Sequence, residues 1–364
     1  MDYDELTQID KAFLNSMLSY GVYKANRWLQ PHSIQQVQEQ PTFRKSYERL
    51  LKQFNARVFT PIMLDLPSSG EIKSNFYKTK FTSQLGYYTA WDNLAGAVVF
   101  ESIINNKKSL HIAFRGTDIN SKKLKEFVSY AYFDMQEFYK CFKPFEGAVW
   151  KYVKENNIQD VQVSGHSLGG AMVQEFFNSD EAKNTSVNLS GFTYGSPNST
   201  KSLIHHTICR IGHKLANKSF MEMVKTSASI FRGGNEIYFK KEIDSRIYQY
   251  KHDEDIVPQA GLIFYKYSNH ISLKDNCQDL EEGFTVFKSM MNNHKKLFWN
   301  SVDKKIKTIL KYHDMLRYTI NLERLGQEML DKGNQLYESM PYISIFNEVK
   351  SANLETKKIT FPSN

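Results

Sequence analysis

The chain has 364 residues, enough for one large domain with additions or two modest ones, and 25 Phe and 21 Tyr give an ordinary globular composition an unusual share of aromatics. Its 47 basic and 39 acidic residues leave a net charge of +8, but the charges are dispersed except for short clusters such as Lys122-Lys123 and Lys304-Lys305, so most read as solvated faces and no nucleic-acid partner is expected. Three scattered cysteines, Cys141, Cys209 and Cys277, imply neither a disulfide framework nor a zinc site.

The acidic start Met1-Asp2-Tyr3-Asp4-Glu5 is unlike a signal peptide, and no long apolar segment follows it. Synthesis in a reducing cytoplasm is therefore expected, with export by a route lacking a cleaved signal left open. Ile9, Phe13, Leu14, Met17 and Leu18 recur at helical spacing within residues 9–29, and Phe43, Tyr47, Leu50, Leu51 and Phe54 form a second stripe. From Gly86 the pattern turns to strands. Residues 86–91 and 97–100 flank an Asp92-Asn93 turn, and Leu110 to Phe114 follows the turn-rich run 105–108.

Residues 122–142 and 145–155 read as helices, Ile158 to Ser164 as a strand, Leu168 to Asn178 as a helix and Val187 to Tyr194 as a strand. Strands alternating with helices argue for an α/β fold, a mostly parallel sheet flanked by helices. Residues 199–244 interrupt that rhythm with an amphipathic, lysine-bearing segment closed by Gly233-Gly234. Strand signals resume at 246–251 and 262–267. The region 278–339 reads as helical, and a docked or loose tail follows Pro341.

The most informative run is Gly165-His166-Ser167-Leu168-Gly169-Gly170, set between a strand and a helix. A serine at such an apex is held on a strained corner with its hydroxyl presented, because glycines let strand and helix close together. The helix start beneath it offers N–H groups and a positive dipole end suited to an oxyanion.

With its surroundings the elbow resembles the class 3, fungal-type lipase branch of the α/β-hydrolases. Ile112-Ala113-Phe114-Arg115-Gly116-Thr117-Asp118 is similar to the family's Phe-Arg-Gly-Ser/Thr block, and Thr193-Tyr194-Gly195-Ser196-Pro197 to its strand-end block. Asp255-Ile256-Val257-Pro258 resembles the block around the acid, and His313 with Tyr318 five residues on resembles the block holding the base. The resemblance implies Ser167 as nucleophile, Asp255 and His313 as acid and base, and oxyanion donors at the N–H groups of Thr117 and Leu168. It also implies that Arg115 braces the oxyanion loop through a carboxylate. Asp253 and Glu254 compete with Asp255, and His270 competes with His313. His166 reads as structural.

What the resemblance implies is an α/β-hydrolase with a helical N-terminal extension (1–60), a hydrolase unit (61–325) and a C-terminal helical tail (326–364). Within the unit lie a lid segment at about 119–143 and the insertion at 199–244. Residues 119–143 are aromatic enough to be either an amphipathic lid or a core helix, and both readings stand. The expected function is cofactor-independent hydrolysis of lipid carboxylic esters, of triacylglycerol lipase or esterase type, at a membrane or lipid-droplet surface. The alternatives are a phospholipase or lysophospholipase, and a membrane-binding effector module without turnover. No metal is expected, and oligomeric state is not readable.

Overall fold

The computed structural model describes residues 3–24, 43–74, 77–91, 94–117, 135–197, 244–253, 255, 270–273, 313–332 and 340–358. In chain order these form α1 (Tyr3–Gly21) with a 3-10 turn at Val22–Lys24, then α2 (Phe43–Val58), β1 (Phe59–Pro61), β2 (Ser69–Lys73) and β3 (Lys78–Gln84). Next come β4 (Tyr87–Ala90), β5 (Ala95–Ile104), β6 (Lys107–Phe114), α3 (Met135–Tyr139), α4 (Lys143–Glu155), β7 (Asp160–His166) and α5 (Leu168–Phe177). The chain continues through α6 (Asp180–Asn184), β8 (Asn188–Tyr194), β9 (Ile247–His252), β10 (His270–Leu273), α7 (Met315–Lys332) and α8 (Pro341–Lys358).

The described strands make one sheet in the order β10-β9-β8-β7-β6-β5-β4-β3-β2, with β1 pairing along the far half of β5. From β6 to β10 every pairing is parallel, and from β2 to β6 every pairing is antiparallel. The parallel half is the part that builds a site. Successive parallel strands need crossover helices, and those crossovers deliver loops to one end of the sheet.

Each face of the sheet has its own core. On one, Ile112, Phe114, Val161 and Val163 pack with Phe142, Phe145, Val149, Met172 and Phe176 of the crossover segments. On the other, Ala113, Phe192, Tyr194 and Tyr250 meet Phe13, Leu14, Met17 and Leu18 of α1, then Tyr318 and Leu322 of α7 and Ile343 and Phe346 of α8. The terminal helices thus form the second layer of the sandwich. The segment after Pro341, read as a docked or loose tail, is a helix whose Phe346 ring lies 5.3 Å from Phe13 and 5.7 Å from Phe54.

Of the segment 119–143, only residues 135–143 are described. Met135, Phe138, Tyr139 and Phe142 are buried against Phe114 and Phe145, so this part is core helix. Of the insertion at 199–244 only Asp244 is described, and the strand expected at 262–267 and the helical stretch 278–312 lie outside the described residues. Among the described residues no helix is long and apolar enough to cross a membrane.

α1 is buried on nearly every side from Ala12 to Tyr20, although its sequence reads as amphipathic. Its polar residues are matched to the sheet. Asn15 Nδ2 donates to Gln162 Oε1 at 2.7 Å, and the Ala12 carbonyl accepts from Tyr194 Oη at 2.6 Å. On its outer side the Asp10 carboxylate accepts the Tyr342 and Ile343 N–H groups at 3.2 and 2.9 Å, capping the start of α8.

Burial pushes the Asp10 carboxyl up to about 7, more than those two N–H groups and Lys11 pull it down. A carboxyl whose folded pKa exceeds its unfolded value loses stabilisation as pH rises from near 4 through 7. Urea unfolding of the wild type and of Asp10→Asn should therefore show a stability difference that moves in favour of Asn across that window. A difference independent of pH would mean that Asp10 does not titrate there.

Candidate active site

Ser167 ends β7 and begins α5 with φ 55° and ψ −127°, a backbone region that non-glycine residues rarely occupy. Two close approaches impose the corner. A Cβ on Gly165 would collide with the Gly169 carbonyl, and one on Gly169 would collide with the Phe114 carbonyl of β6. The Ser167 N–H donates to the Tyr194 carbonyl at the end of β8, 2.9 Å away. Leu168, first residue of α5, brings one of the N–H groups that a helix start leaves without an intrahelical partner.

β6 runs beside β7 in parallel, so the loop leaving it arrives at the same end. There Gly116 lies so close to the elbow that a Cβ on it would stand 3.2 Å from Ser167 Cβ. Thr117 follows, half-buried. Arg115 departs from expectation. Its Nη1 donates to Tyr87 Oη at 3.2 Å, and its Nε and Nη2 make no hydrogen bond among the described residues, so a tyrosine stands where a carboxylate was expected.

Asp255 is fully buried three residues past β9, its N–H donating to the His252 carbonyl at 3.1 Å. Its Oδ2 lies 2.8 Å from His313 Nδ1 and accepts the Tyr318 hydroxyl at 2.6 Å. His313 stands just before α7, where Asp314 accepts the Leu316 N–H at 3.1 Å and starts the helix. One helical turn later Tyr318 therefore points back at the acid. His313 Nε2 is buried and makes no hydrogen bond among the described residues. The Ser167 to Nε2 bond is thus unmade, as is common before a substrate tightens such a pair.

The pair sits over the end of β8. Gly195 has φ 54°, and a Cβ on it would stand 2.5 Å from Asp255 Oδ2 and 3.0 Å from the His313 ring. His166, the elbow's own histidine, places Nε2 2.7 Å from the His313 carbonyl, with the two rings 4.5 Å apart. Burial, then the neighbouring His313, push the His166 imidazole well below its ordinary pKa, so it is neutral near pH 7.

All five residues named from sequence therefore come to one end of the parallel strands. His270 opens the edge strand β10 in register with Gln249, whereas His313 is the histidine bonded to Asp255. Tyr318, only a marker in its sequence block, bonds the Asp255 carboxylate. Tyr23, whose hydroxyl lies 2.8 Å from His166 Nδ1, has no sequence signal of its own. No spacing links that residue to the elbow.

An elbow serine between parallel strands, with an Asp past a later strand bonded to a His that precedes a late helix, is the arrangement of an α/β-hydrolase. Residues 102–265 match the family model described as Lipase (class 3). Among solved structures the chain is similar to extracellular lipase LipA from Serratia marcescens, with 14% identity, a TM-score of 0.46 and 88% of this chain covered. That match covers 51% of the Serratia chain, so this chain spans about half its length. Lipase II from Rhizopus niveus follows at 14% identity and TM-score 0.37, covering 71% of this chain and 76% of that one. Rhizomucor miehei triacylglyceride lipase also has 14% identity and TM-score 0.37, with 76% of this chain and 83% of that one covered. No curated protein matches the sequence.

Gly195→Ala should show how tightly the acid is seated. The substitution adds backbone strain of about 1–3 kcal/mol and drives a methyl into the carboxylate. We expect a lower thermal midpoint together with a loss of turnover. An alanine variant equal to wild type in both would mean that the β8 end does not constrain Asp255.

Proposed function

We propose that the chain is a serine hydrolase cleaving carboxylic esters of lipids, with Ser167 as nucleophile, His313 as general base and Asp255 as the orienting acid. The observation that carries this reading is the His313–Asp255 contact at 2.8 Å beside a serine held at φ 55°. Ser167 Oγ attacks the ester carbonyl and passes its proton to His313 Nε2. The imidazolium, held by Asp255, gives that proton to the departing alcohol, leaving an acyl-serine. Water then adds with His313 again as base, releasing the acid and restoring the hydroxyl. The Thr117 and Leu168 N–H groups meet the charge on the carbonyl oxygen at each addition, a contribution of about 3–4 kcal/mol per donor in measured cases.

The chemistry is placed in the unit 61–325, and the substrate is taken from a membrane or lipid-droplet surface. The basic insertion at 199–244 is the motive for that surface, since lysines near anionic lipid contribute about 1 kcal/mol each.

A fluorophosphonate probe on the purified full chain should label Ser167, and Ser167→Ala should abolish both labelling and ester turnover. A variant keeping a tenth of wild-type turnover would sink the mechanism. His313→Ala should be as damaged as Ser167→Ala, because triad members act as a unit, whereas His270→Ala should stay active. The reverse pattern would move the base to His270. A lipid panel read by mass spectrometry sets the substrate, and turnover confined to phospholipids would replace the lipase reading with the phospholipase one.

A further inference from the structure

The geometry points to Tyr23, contributed by the turn that ends the N-terminal helix, as a positioning residue that holds the proposed base through His166. His166 Nε2 lies 2.7 Å from the His313 carbonyl oxygen. A carbonyl can only accept, so Nε2 must carry the proton. In the neutral ring Nδ1 is then bare, and it lies 2.8 Å from Tyr23 Oη, which must donate. The direction of both bonds follows: Tyr23 O–H to Nδ1, then Nε2–H to the main chain of His313. The carbonyl thereby selects the tautomer, and the tyrosine proton satisfies the nitrogen left bare, anchoring the ring from its second side.

Tyr23 is equally tied to the other side of the site. Its hydroxyl sits against Gly116, where a Cβ would collide with both it and the His166 carbonyl. Its ring meets the His166 ring edge-on at 5.8 Å. One side chain therefore touches the loop that leads into Thr117 and the residue preceding Ser167, and it bonds the imidazole that fixes His313. His313 is held at its side chain by Asp255, at its main chain by His166, and just beyond by the Asp314 cap of α7. Only the His166 hold depends on a residue from the N-terminal segment.

This inference rests on His313 being the base, as proposed above. Tyr23→Phe keeps the ring and removes the donor. With the donor gone, Nε2–H still faces the carbonyl, but Nδ1 is left without its partner and the ring loses its second anchor. A net hydrogen bond of about 1 kcal/mol corresponds to roughly a five- to tenfold change. In the full chain, assayed on a soluble short-chain ester, we expect turnover to fall about fivefold to tenfold. The fluorophosphonate labelling rate should fall in parallel, while KM stays within about twofold and the thermal midpoint holds.

Nitrogen NMR of histidine-labelled protein reads the lock without using activity. Wild type should show His166 protonated on Nε2 alone with Nδ1 accepting a hydrogen bond, and Tyr23→Phe should move the Nδ1 resonance to that of an unbonded imine nitrogen. Unchanged turnover in Tyr23→Phe, or a His166 Nδ1 resonance unaltered by it, overturns the inference. If Ser167→Ala or His313→Ala kept activity, the proposed function would fail instead. The Nδ1 resonance would still decide what Tyr23 does to His166.

Discussion

Everything at the reactive end depends on one strained residue. A serine at φ 55° and ψ −127° costs about 1–3 kcal/mol and persists only where its surroundings over-determine it. Here β7 and α5 close on the corner with glycine at both contact points, and the β8 carbonyl of Tyr194 takes the serine N–H. The central strand must be buried on both faces for such a corner to be rigid. Gln162 and Ser164 are buried because α1 and β6 supply partners, Asn15 Nδ2 at 2.7 Å and the Ile112 carbonyl at 3.3 Å.

That requirement explains why the terminal helices are part of the fold. The crossovers α4 and α5 cover one face of the parallel strands, leaving the other open. α1, α7 and α8 close it, and the same helices carry groups to the site: α7 brings Tyr318, α7's cap fixes His313, and the turn after α1 brings Tyr23. A buried carboxyl needs hydrogen-bond partners. Asp255 meets that need with the Tyr318 hydroxyl and the His313 ring, so the helix that completes the core also completes the acid.

The polar interior is arranged so that direction is fixed as well as distance. Carbonyl acceptors sit where an imidazole could otherwise take either tautomer. The His313 carbonyl selects the protonated nitrogen of His166, which in turn defines what Tyr23 must do. Low dielectric strengthens such bonds and penalises a wrong proton, which is why a neutral His166 suits its position.

Local rules were enough for much of this protein. The strand, elbow and helix of residues 158–178, the strands at 86–114 and the one at 246–251 were legible because side-chain period and glycine spacing act within a few residues of themselves. Ser167 was named from that corner, whereas Asp255, His313, Thr117 and Leu168 were implied by short blocks that resemble the class 3 lipase family's. β2 and β3, in Ser69–Lys73 and Lys78–Gln84, were missed because edge antiparallel strands show solvent-facing residues and too few apolar ones to make a period. The His313–Asp255 contact itself, the tyrosine standing where a carboxylate was expected beside Arg115, the core role of residues 135–142 and the reach of Tyr23 to His166 belong to tertiary structure alone. Each is a contact between segments from 28 to 143 positions apart. Sequence spacing carries no distance across such gaps; the packing of helices on a parallel sheet sets it.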